Sequence, residues 1–215
     1  MIAVDAIIFD LDGTLIDSRR DLAYSVQNLQ KHYGAPRSSV DEVASFVGDG
    51  VVKLVQRSLP KLAPSGLDQA IITFKKFYRE HCLDHTSLYP GVRETLRHFR
   101  RKKMAVVTNK PVRVSGYMLD TLKLSSYFSV LIGGDSLPRK KPHPEPILSA
   151  LATLGIRDIS RSVMVGDGPN DVLAGKAAGT RTCGIKSNIG DPRKLTKSRP
   201  DFMINRMTEL MRIFS

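Results

Sequence analysis

Short apolar runs recur along the chain, and most of them end next to glycine, asparagine, aspartate or lysine. They lie at residues 6–9, 104–107, 128–132, 162–165, 182–185 and 202–204. Short runs rich in Val and Ile are typical of strands that are buried on both faces. Between most of them, apolar side chains step by three and four residues, which indicates helices. This alternation predicts an α/β fold, a parallel sheet with crossover helices.

Three such helical patterns are clearest. They are Val92, Leu96 and Phe99; Ile147, Leu151 and Leu154; and Met207, Leu210, Met211 and Phe214. The last of them predicts a final amphipathic helix at the carboxyl end of the chain.

The interval 16–86 breaks the alternation, because it carries helical patterns and no strand-like run between them. The four patterns are Leu22, Val26 and Leu29; Val40, Val43, Ala44 and Val47; Val51, Leu54, Val55 and Leu59; and Leu67, Ile71, Phe74 and Tyr78. They predict an all-helical subdomain inserted after the first strand. Residues 1–15 and 87–215 would then form the α/β core.

Composition narrows the class of protein. The chain has 215 residues, which fits one domain or one domain with a sizeable insertion. Hydrophobic residues make up 41% and charged residues 25%, as is ordinary for a globular protein with a real core. Cys82 and Cys183 form no zinc or disulfide spacing, so we expect a reducing, cytoplasmic setting. No apolar run approaches the ~20 residues of a membrane helix. The net charge of +12 favours acidic partners: phosphate esters, nucleic acid or anionic lipid.

Two carboxylates follow the first apolar run, in the sequence Phe9-Asp10-Leu11-Asp12-Gly13-Thr14. Residues i and i+2 of an extended chain point to one side, so Asp10 and Asp12 can share a site. Adjacent carboxylates repel each other, and oxygen ligands suit Mg²⁺. This predicts a metal site at the end of the first strand.

A second acidic cluster, Asp167 and Asp171, follows the run at 162–165. Ligands of open parallel sheets bind beyond the carboxyl ends of the strands, so both clusters should face one crevice. Taken alone, Asp171 is better explained as an aspartate at a helix start. Beside Asp10 and Asp12, the metal-site interpretation is favoured.

Two further segments offer groups for a phosphate. Thr108 and Asn109 follow the run at 104–107, although Thr108 is also explained by helix capping. Lys141 lies among prolines in Lys140-Lys141-Pro142-His143-Pro144, which can aim one lysine inward. The alternative for this lysine pair is a solvated charge run.

These pieces, in this order, resemble the haloacid dehalogenase (HAD) superfamily of phosphatases. The motif at 10–14 is similar to its first motif, Thr108 to its second, Lys141 to its third and the segment 166–171 to its fourth. The resemblance implies a Rossmann-like core with an inserted helical cap. Finer details resemble the phosphoglycolate phosphatases of the superfamily: FDLDGTLIDS at 9–18, VGDGVVKLV at 47–55, YPGV at 89–92, TNKP at 108–111 and GGDSLPRKKPHPEP at 133–146.

The resemblance also implies roles for these residues. Asp10 would be the nucleophile, and Asp12 would protonate the leaving group and then activate water. Asp10, the backbone carbonyl of Asp12 and Asp167 would hold Mg²⁺, with Asp171 in support. The phosphoryl oxygens would bind Thr108, Asn109 and Lys141.

The cap is expected to close over the site and leave room for a small ligand. Gly48, Asp49 and Gly50 form its expected substrate loop. Arg19 and Arg20, where the chain leaves for the cap, are candidates for a substrate carboxylate; two solvated arginines explain them equally well.

The resulting hypothesis is a Mg²⁺-dependent phosphomonoester hydrolase acting on a small phosphorylated metabolite, 2-phosphoglycolate being the first candidate. Alternatives within the superfamily are a pyrophosphatase, a nucleotidase and a sugar phosphomutase. A nucleic-acid-binding protein is suggested by charge only. It is disfavoured because the basic residues are scattered, Trp is absent and aromatic residues make up 7%. The sequence leaves monomer and homodimer equally open.

Overall fold

The computed structural model describes residues 1–215 and contains two sheets. The eight strands are β1 (Ala6–Phe9), β2 (Ile16–Asp17), β3 (Ser87–Leu88), β4 (Lys103–Val107), β5 (Val130–Ile132), β6 (Ser162–Gly166), β7 (Arg181–Ile185) and β8 (Phe202–Ile204). Six of them form one sheet in the order β5-β4-β1-β6-β7-β8, and every pair in it is parallel. The predicted α/β class with a Rossmann-like core is confirmed.

Ten α-helices accompany the strands. They are α1 (Arg19–His32), α2 (Val40–Phe46), α3 (Val51–Ser58), α4 (Leu67–His81), α5 (Val92–His98), α6 (Val112–Thr121), α7 (Glu145–Thr153), α8 (Pro169–Ala178), α9 (Pro192–Lys197) and α10 (Leu210–Ile213). None of them is long and apolar enough to cross a membrane.

The central strands are apolar on both faces because helices cover both sides of the sheet. Ile7 and Phe9 of β1 belong to one buried cluster, whereas Ala6 and Ile8 belong to another. The first cluster takes in residues of α5, α6 and α10, and the second takes in residues of α7 and α8. Burying each large apolar side chain of this kind contributes roughly 1.5–3 kcal/mol.

The carboxyl terminus differs from the predicted final helix over 207–214. A short 3₁₀ helix at Met207–Glu209 precedes α10, which ends at Ile213. Phe214 is buried in extended conformation and bridges to Ile2 in parallel. Backbone hydrogen bonds between residues 213–215 and residues 2–4 take the place of a last helical turn. This pairing satisfies backbone N–H and C=O groups as a helix would, and it also buries the Phe214 ring.

The helices α1–α4 occupy the interval between β2 and β3, and we call residues 16–86 the helical segment. β2 and β3 pair in antiparallel fashion, so the points where the chain enters and leaves this segment lie side by side. Asp21 of α1 is buried and binds the segment that leads from α4 into β3. Its carboxylate accepts hydrogen bonds from the backbone N–H groups of His85 and Thr86 and from the Thr86 hydroxyl, at 2.7–3.0 Å.

Candidate active site

The polar residues that follow β1, β4 and β6 meet at the carboxyl edge of the sheet. They do so because neighbouring parallel strands end at the same edge. A cavity of about 1180 Å³ lies between this edge and the helical segment. The segments that follow these strands contribute polar or charged residues to its wall, among them Asp10, Asp12, Thr108, Asn109, Lys110, Asp167 and Asp171.

Gly13 makes the close packing of this edge possible. Its φ angle is +79°, a conformation that side-chain-bearing residues rarely adopt. A Cβ atom here would lie 2.0 Å from Oδ2 of Asp167. Glycine therefore lets the chain turn after Asp12 and leaves room for the carboxylate that arrives from β6.

Three carboxylates gather next to this turn. One oxygen each of Asp10, Asp167 and Asp171 lies within 4.8 Å of the others. Lys141 is buried among them, with Nζ 3.0 Å from Oδ1 of Asp10 and 2.6 Å from Oδ1 of Asp171. The sequence prediction that one lysine of the proline-rich loop points inward is confirmed for Lys141.

The electrostatics of this cluster leave an excess of negative charge. Burial raises the pKa of Asp10 to about 6, with Lys141 opposing the rise and Asp171 adding to it. Burial also raises the pKa of Asp167 well above its usual value, and the charges of Asp10 and Asp171 act in the same direction. Oδ1 of Asp10 is buried and has the Lys141 ammonium 3.0 Å away, in a geometry that falls short of a regular hydrogen bond. Three carboxylates facing a single ammonium fit a divalent cation bound by oxygen ligands.

Ser187 is a member of this cluster that sequence reasoning missed. It follows β7, and its hydroxyl donates a hydrogen bond of 2.8 Å to Oδ2 of Asp167. Its position just beyond an apolar run was an available signal, because that position places it at the same sheet edge as Asp10.

Asp12 is held apart from this cluster by two donors. The Ser18 hydroxyl donates to its Oδ1 at 2.6 Å, and Lys110 Nζ lies 3.1 and 2.8 Å from its two oxygens. Lys110 also donates to the hydroxyl of Tyr78 in α4, at 2.7 Å. Burial favours neutral Lys110, but Asp12 and Tyr78 outweigh it and the pKa of Lys110 is raised.

Lys110 and Tyr78 were both absent from the predicted site. The sequence could have indicated Lys110, since it lies two residues beyond Thr108, just after the end of β4. Nothing in the sequence indicated Tyr78 as a site residue, because its helical spacing identified it only as part of an apolar helix face.

Thr108 and Asn109 both line the cavity, but they differ in whether a hydrogen-bond donor is left for an anion. The Thr108 hydroxyl oxygen accepts a hydrogen bond from the Lys110 backbone N–H at 3.2 Å, which leaves its own hydrogen available. The Asn109 amide donates to the backbone carbonyls of Gly48 and Lys141, at 2.8 and 2.9 Å. Both of its hydrogens are used, so a phosphate contact from this side chain stays a prediction.

The predicted substrate loop lies over the sheet edge. The Gly48 carbonyl accepts from Asn109 and from Asn170, and Oδ1 of Asp49 accepts from Asn170 at 2.8 Å. Asp49 also pairs with Arg57 of α3. Gly48, Asp49 and Gly50 all line the cavity, so this part of the helical segment borders the site.

Arg19 and Arg20 are not brought to the cavity. The Arg19 guanidinium forms two hydrogen bonds with Asp17, at 2.9 and 2.7 Å, and Arg20 is exposed. Neither side chain lines the cavity. Although Arg19 is close to Asp12 in sequence, its guanidinium is bound to Asp17 and does not reach the cavity.

The cavity has two unlike ends. We call the part lined by Asp10, Asp12, Asp167, Asp171 and Thr108 the inner end. The outer end lies between α4 and α6 and is lined by exposed side chains: Ile72, Lys75, Lys76, Arg79, Arg113 and Tyr117. None of its four cations forms an ion pair. α4 and α6 leave the outer end open between them, so the expectation that the helices close over a small ligand stays a prediction.

Comparison with known proteins agrees with this geometry. The family model described as haloacid dehalogenase-like hydrolase matches residues 7–185. The chain belongs to this family. The match begins in β1 and ends in β7, so it includes every strand that contributes a side chain to the inner end.

Several relatives of this haloacid dehalogenase-like hydrolase carry one name. The phosphoglycolate phosphatase of Neisseria meningitidis is 39% identical over 96% of this chain and 92% of its own length. That of Chromobacterium violaceum is 37% identical over 96% of this chain and 95% of its own length. A crystal structure described as a predicted phosphoglycolate phosphatase from Haemophilus somnus superposes with a TM-score of 0.92 at 30% identity, covering 98% of this chain and 97% of that one. The chain is accordingly an enzyme of the phosphatase type.

Proposed function

We propose that this phosphatase hydrolyses 2-phosphoglycolate through an aspartyl-phosphate on Asp10 and requires Mg²⁺. The observation that carries the proposal is the inner end itself. The Asp10 carboxylate lies between Asp167, Asp171 and Lys141, while Asp12 lines the same cavity and is held separately by Lys110. Two carboxylates in different surroundings suit two different chemical roles.

In the first step, an oxygen of Asp10 attacks phosphorus and forms a P–O bond. The bond from phosphorus to the ester oxygen breaks, and Asp12 gives its proton to that oxygen as it leaves. Lys141, which is 2% exposed, holds Asp10 and provides a positive charge next to the phosphoryl oxygens. Thr108 offers its hydroxyl hydrogen to the same group.

In the second step, a water molecule attacks the phosphorus of the aspartyl-phosphate. Asp12 accepts a proton from the water, the P–O bond to Asp10 breaks, and inorganic phosphate leaves with Asp10 restored. Asp12 thereby regains the proton that it gave in the first step, so the cycle balances.

Asp10, the backbone carbonyl of Asp12 and Asp167 are the proposed ligands of Mg²⁺, with Asp171 and Ser187 in support. The cation supplies charge neutralisation between the anionic ester and the carboxylates. The acidic excess of the three-carboxylate cluster supports this assignment.

We further propose that residues 16–86 act as a cap on a core made of residues 1–15 and 87–215. The contacts of the Gly48–Gly50 loop with Asn109 and Asn170 support a cap that closes over the sheet edge. Closure excludes bulk water from the inner end. The backbone of this loop, which lines the cavity, is the available partner for a substrate carboxylate.

The names of the relatives in Neisseria and Chromobacterium favour 2-phosphoglycolate as the substrate. The test is a phosphate-release assay with Mg²⁺ that compares kcat/KM for 2-phosphoglycolate, pyrophosphate and a nucleoside monophosphate in one buffer. We expect 2-phosphoglycolate to lead, since a charge-assisted contact with its carboxylate contributes roughly 1.5–3 kcal/mol, about ten- to a hundred-fold. A tenfold advantage of either competitor overturns the substrate assignment and leaves the phosphatase chemistry standing.

A further inference from the structure

Lys110 is a buried cation that contacts Asp12 and Tyr78 and also lines the cavity. Its side chain is 5% exposed, and Nζ lies 2.8 Å from one oxygen of Asp12 and 2.7 Å from the Tyr78 hydroxyl. Nζ also lies 4.5 Å from the centre of the Tyr78 ring. A buried ammonium needs partners of this kind, because an unpaired one is costly in a low-dielectric interior.

The two partners of Lys110 come from different parts of the chain. Asp12 follows β1, whereas Tyr78 lies in α4 of the helical segment. Tyr78 is itself buried, stacks on Phe74 with ring centres 5.6 Å apart, and has its hydroxyl 3.9 Å from Met118 Sδ in α6. Packing on several sides fixes the phenol, so its hydroxyl can hold the ammonium at a defined position.

We propose that Lys110 and Tyr78 are positioning residues for Asp12, and that α4 completes the surroundings of the catalytic acid. Lys110 fixes the carboxylate from one side while Ser18 fixes it from the other. Tyr78 acts through Lys110. The inference rests on the proposed role of Asp12 as general acid.

The arrangement has a consequence for catalysis. A general acid works only when it lies within hydrogen-bond reach of the leaving oxygen, and such catalysis contributes roughly 10²–10⁴-fold. A displaced Asp12 should therefore harm esters whose leaving oxygen needs a proton, and it should spare esters whose leaving group departs as a stable anion.

The experiment compares kcat/KM for 2-phosphoglycolate and for p-nitrophenyl phosphate in Lys110→Met, Tyr78→Phe and the double variant. This parameter covers the steps through loss of the leaving group, so it is insensitive to later hydrolysis of the intermediate. For Lys110→Met we expect a loss of about 10²-fold with 2-phosphoglycolate and less than about tenfold with p-nitrophenyl phosphate. Asp12→Asn should show the same leaving-group pattern and serves as the reference.

Tyr78→Phe keeps the ring and removes only the hydroxyl that receives the Lys110 hydrogen bond. We expect a loss of about tenfold with 2-phosphoglycolate. In the double variant, the further loss from Tyr78→Phe should disappear, because Tyr78 acts through Lys110. Lys31→Met and Tyr24→Phe, both at exposed positions of α1, are the matched controls and should retain wild-type rates.

Equal losses on both esters, or additive losses in the double variant, would overturn the inference. So would a raised KM at unchanged kcat for Lys110→Met, which would make Lys110 a substrate ligand. If Lys110→Met does not fold, Tyr78→Phe still decides through its leaving-group pattern. A wild-type enzyme inactive on every ester would instead overturn the proposed function.

Discussion

The two ends of the cavity differ in how their charges are balanced. At the inner end, buried carboxylates meet Lys141 and Lys110, and distances between charged atoms run from 2.6 to 3.0 Å. At the outer end, Lys75, Lys76, Arg79 and Arg113 are exposed and unpaired. The charged side chains of the inner end are mostly buried, while those of the outer end are exposed to solvent.

This difference separates two tasks. Charges that are buried and fixed at short distance can stabilise a developing charge without reorganisation, which phosphoryl transfer needs. Exposed charges are screened by water and salt, so they act mainly by attracting anions from a distance. The inner end is suited to the reaction and the outer end to the capture of an anionic substrate. Three changes test this division, beginning with the largest expected effect.

The largest effect should come from Asp10→Asn at the inner end. An amide is a poor nucleophile and brings no charge to a cation, so we expect kcat to fall by about 10⁴-fold or more. The fold should survive, because the change relieves repulsion among three carboxylates. Phosphate release and the thermal midpoint measure the two effects. A variant that keeps a near wild-type rate would show that another residue is the nucleophile.

Removal of divalent cations should abolish activity, and Mg²⁺ should restore it. Ca²⁺ should be a poor substitute, because it accepts more ligands and looser geometry. Mg²⁺ binding can be measured separately from activity, through thermal unfolding with and without the ion. At a Mg²⁺ concentration of 100 times Kd, the free energy of unfolding should rise by about 2.7 kcal/mol.

That gain corresponds to roughly 5–10 °C in Tm for a chain of this size. In Asp167→Asn the Mg²⁺-dependent rise in Tm should shrink, because a ligand is lost. Full activity after exhaustive chelation would contradict the proposed metal dependence.

The smallest effect should come from the outer end. Replacement of Lys75 and Arg113 together by Ala should lower kcat/KM for 2-phosphoglycolate by about five- to tenfold at low ionic strength. The loss should vanish near 1 M salt, where the Debye length falls to about 3 Å. Lys31→Ala on α1 is the control. A loss that persists at high salt would mean that these cations contact the substrate directly.

The sequence was sufficient for the strands of the main sheet and for the acidic cluster at its carboxyl edge. The apolar runs at 6–9 and 202–204 correspond residue for residue to β1 and β8. Strands buried on both faces leave a continuous apolar run, which is a strong local signal. Asp10 directly follows the run at 6–9, and Asp167 follows the run at 162–165 by two residues, so both were found from this signal. Lys141 was found from the proline-rich loop in which it lies.

The sequence was a poorer guide to contacts between distant elements. Arg19 lies near Asp12 along the chain yet bonds to Asp17, whereas Tyr78 is far along the chain from both Lys110 and Asp12 and contacts the lysine. The sequence also did not indicate that the Asn109 amide donates to the backbone carbonyls of Gly48 and Lys141. These pairings depend on how α1 and α4 pack against the sheet, which periodicity does not specify.

By itself, the sequence determined which residues end strands and therefore share the carboxyl edge, because parallel strands bring their ends together whatever the helices do. Tertiary structure alone decided which of the cations meet a carboxylate. Lys110 and Lys141 are buried against Asp12 and Asp10, while Lys75 and Arg113 remain in water. Burial is a property of packing over the whole chain, and it sets the strength of each charge interaction through the local dielectric.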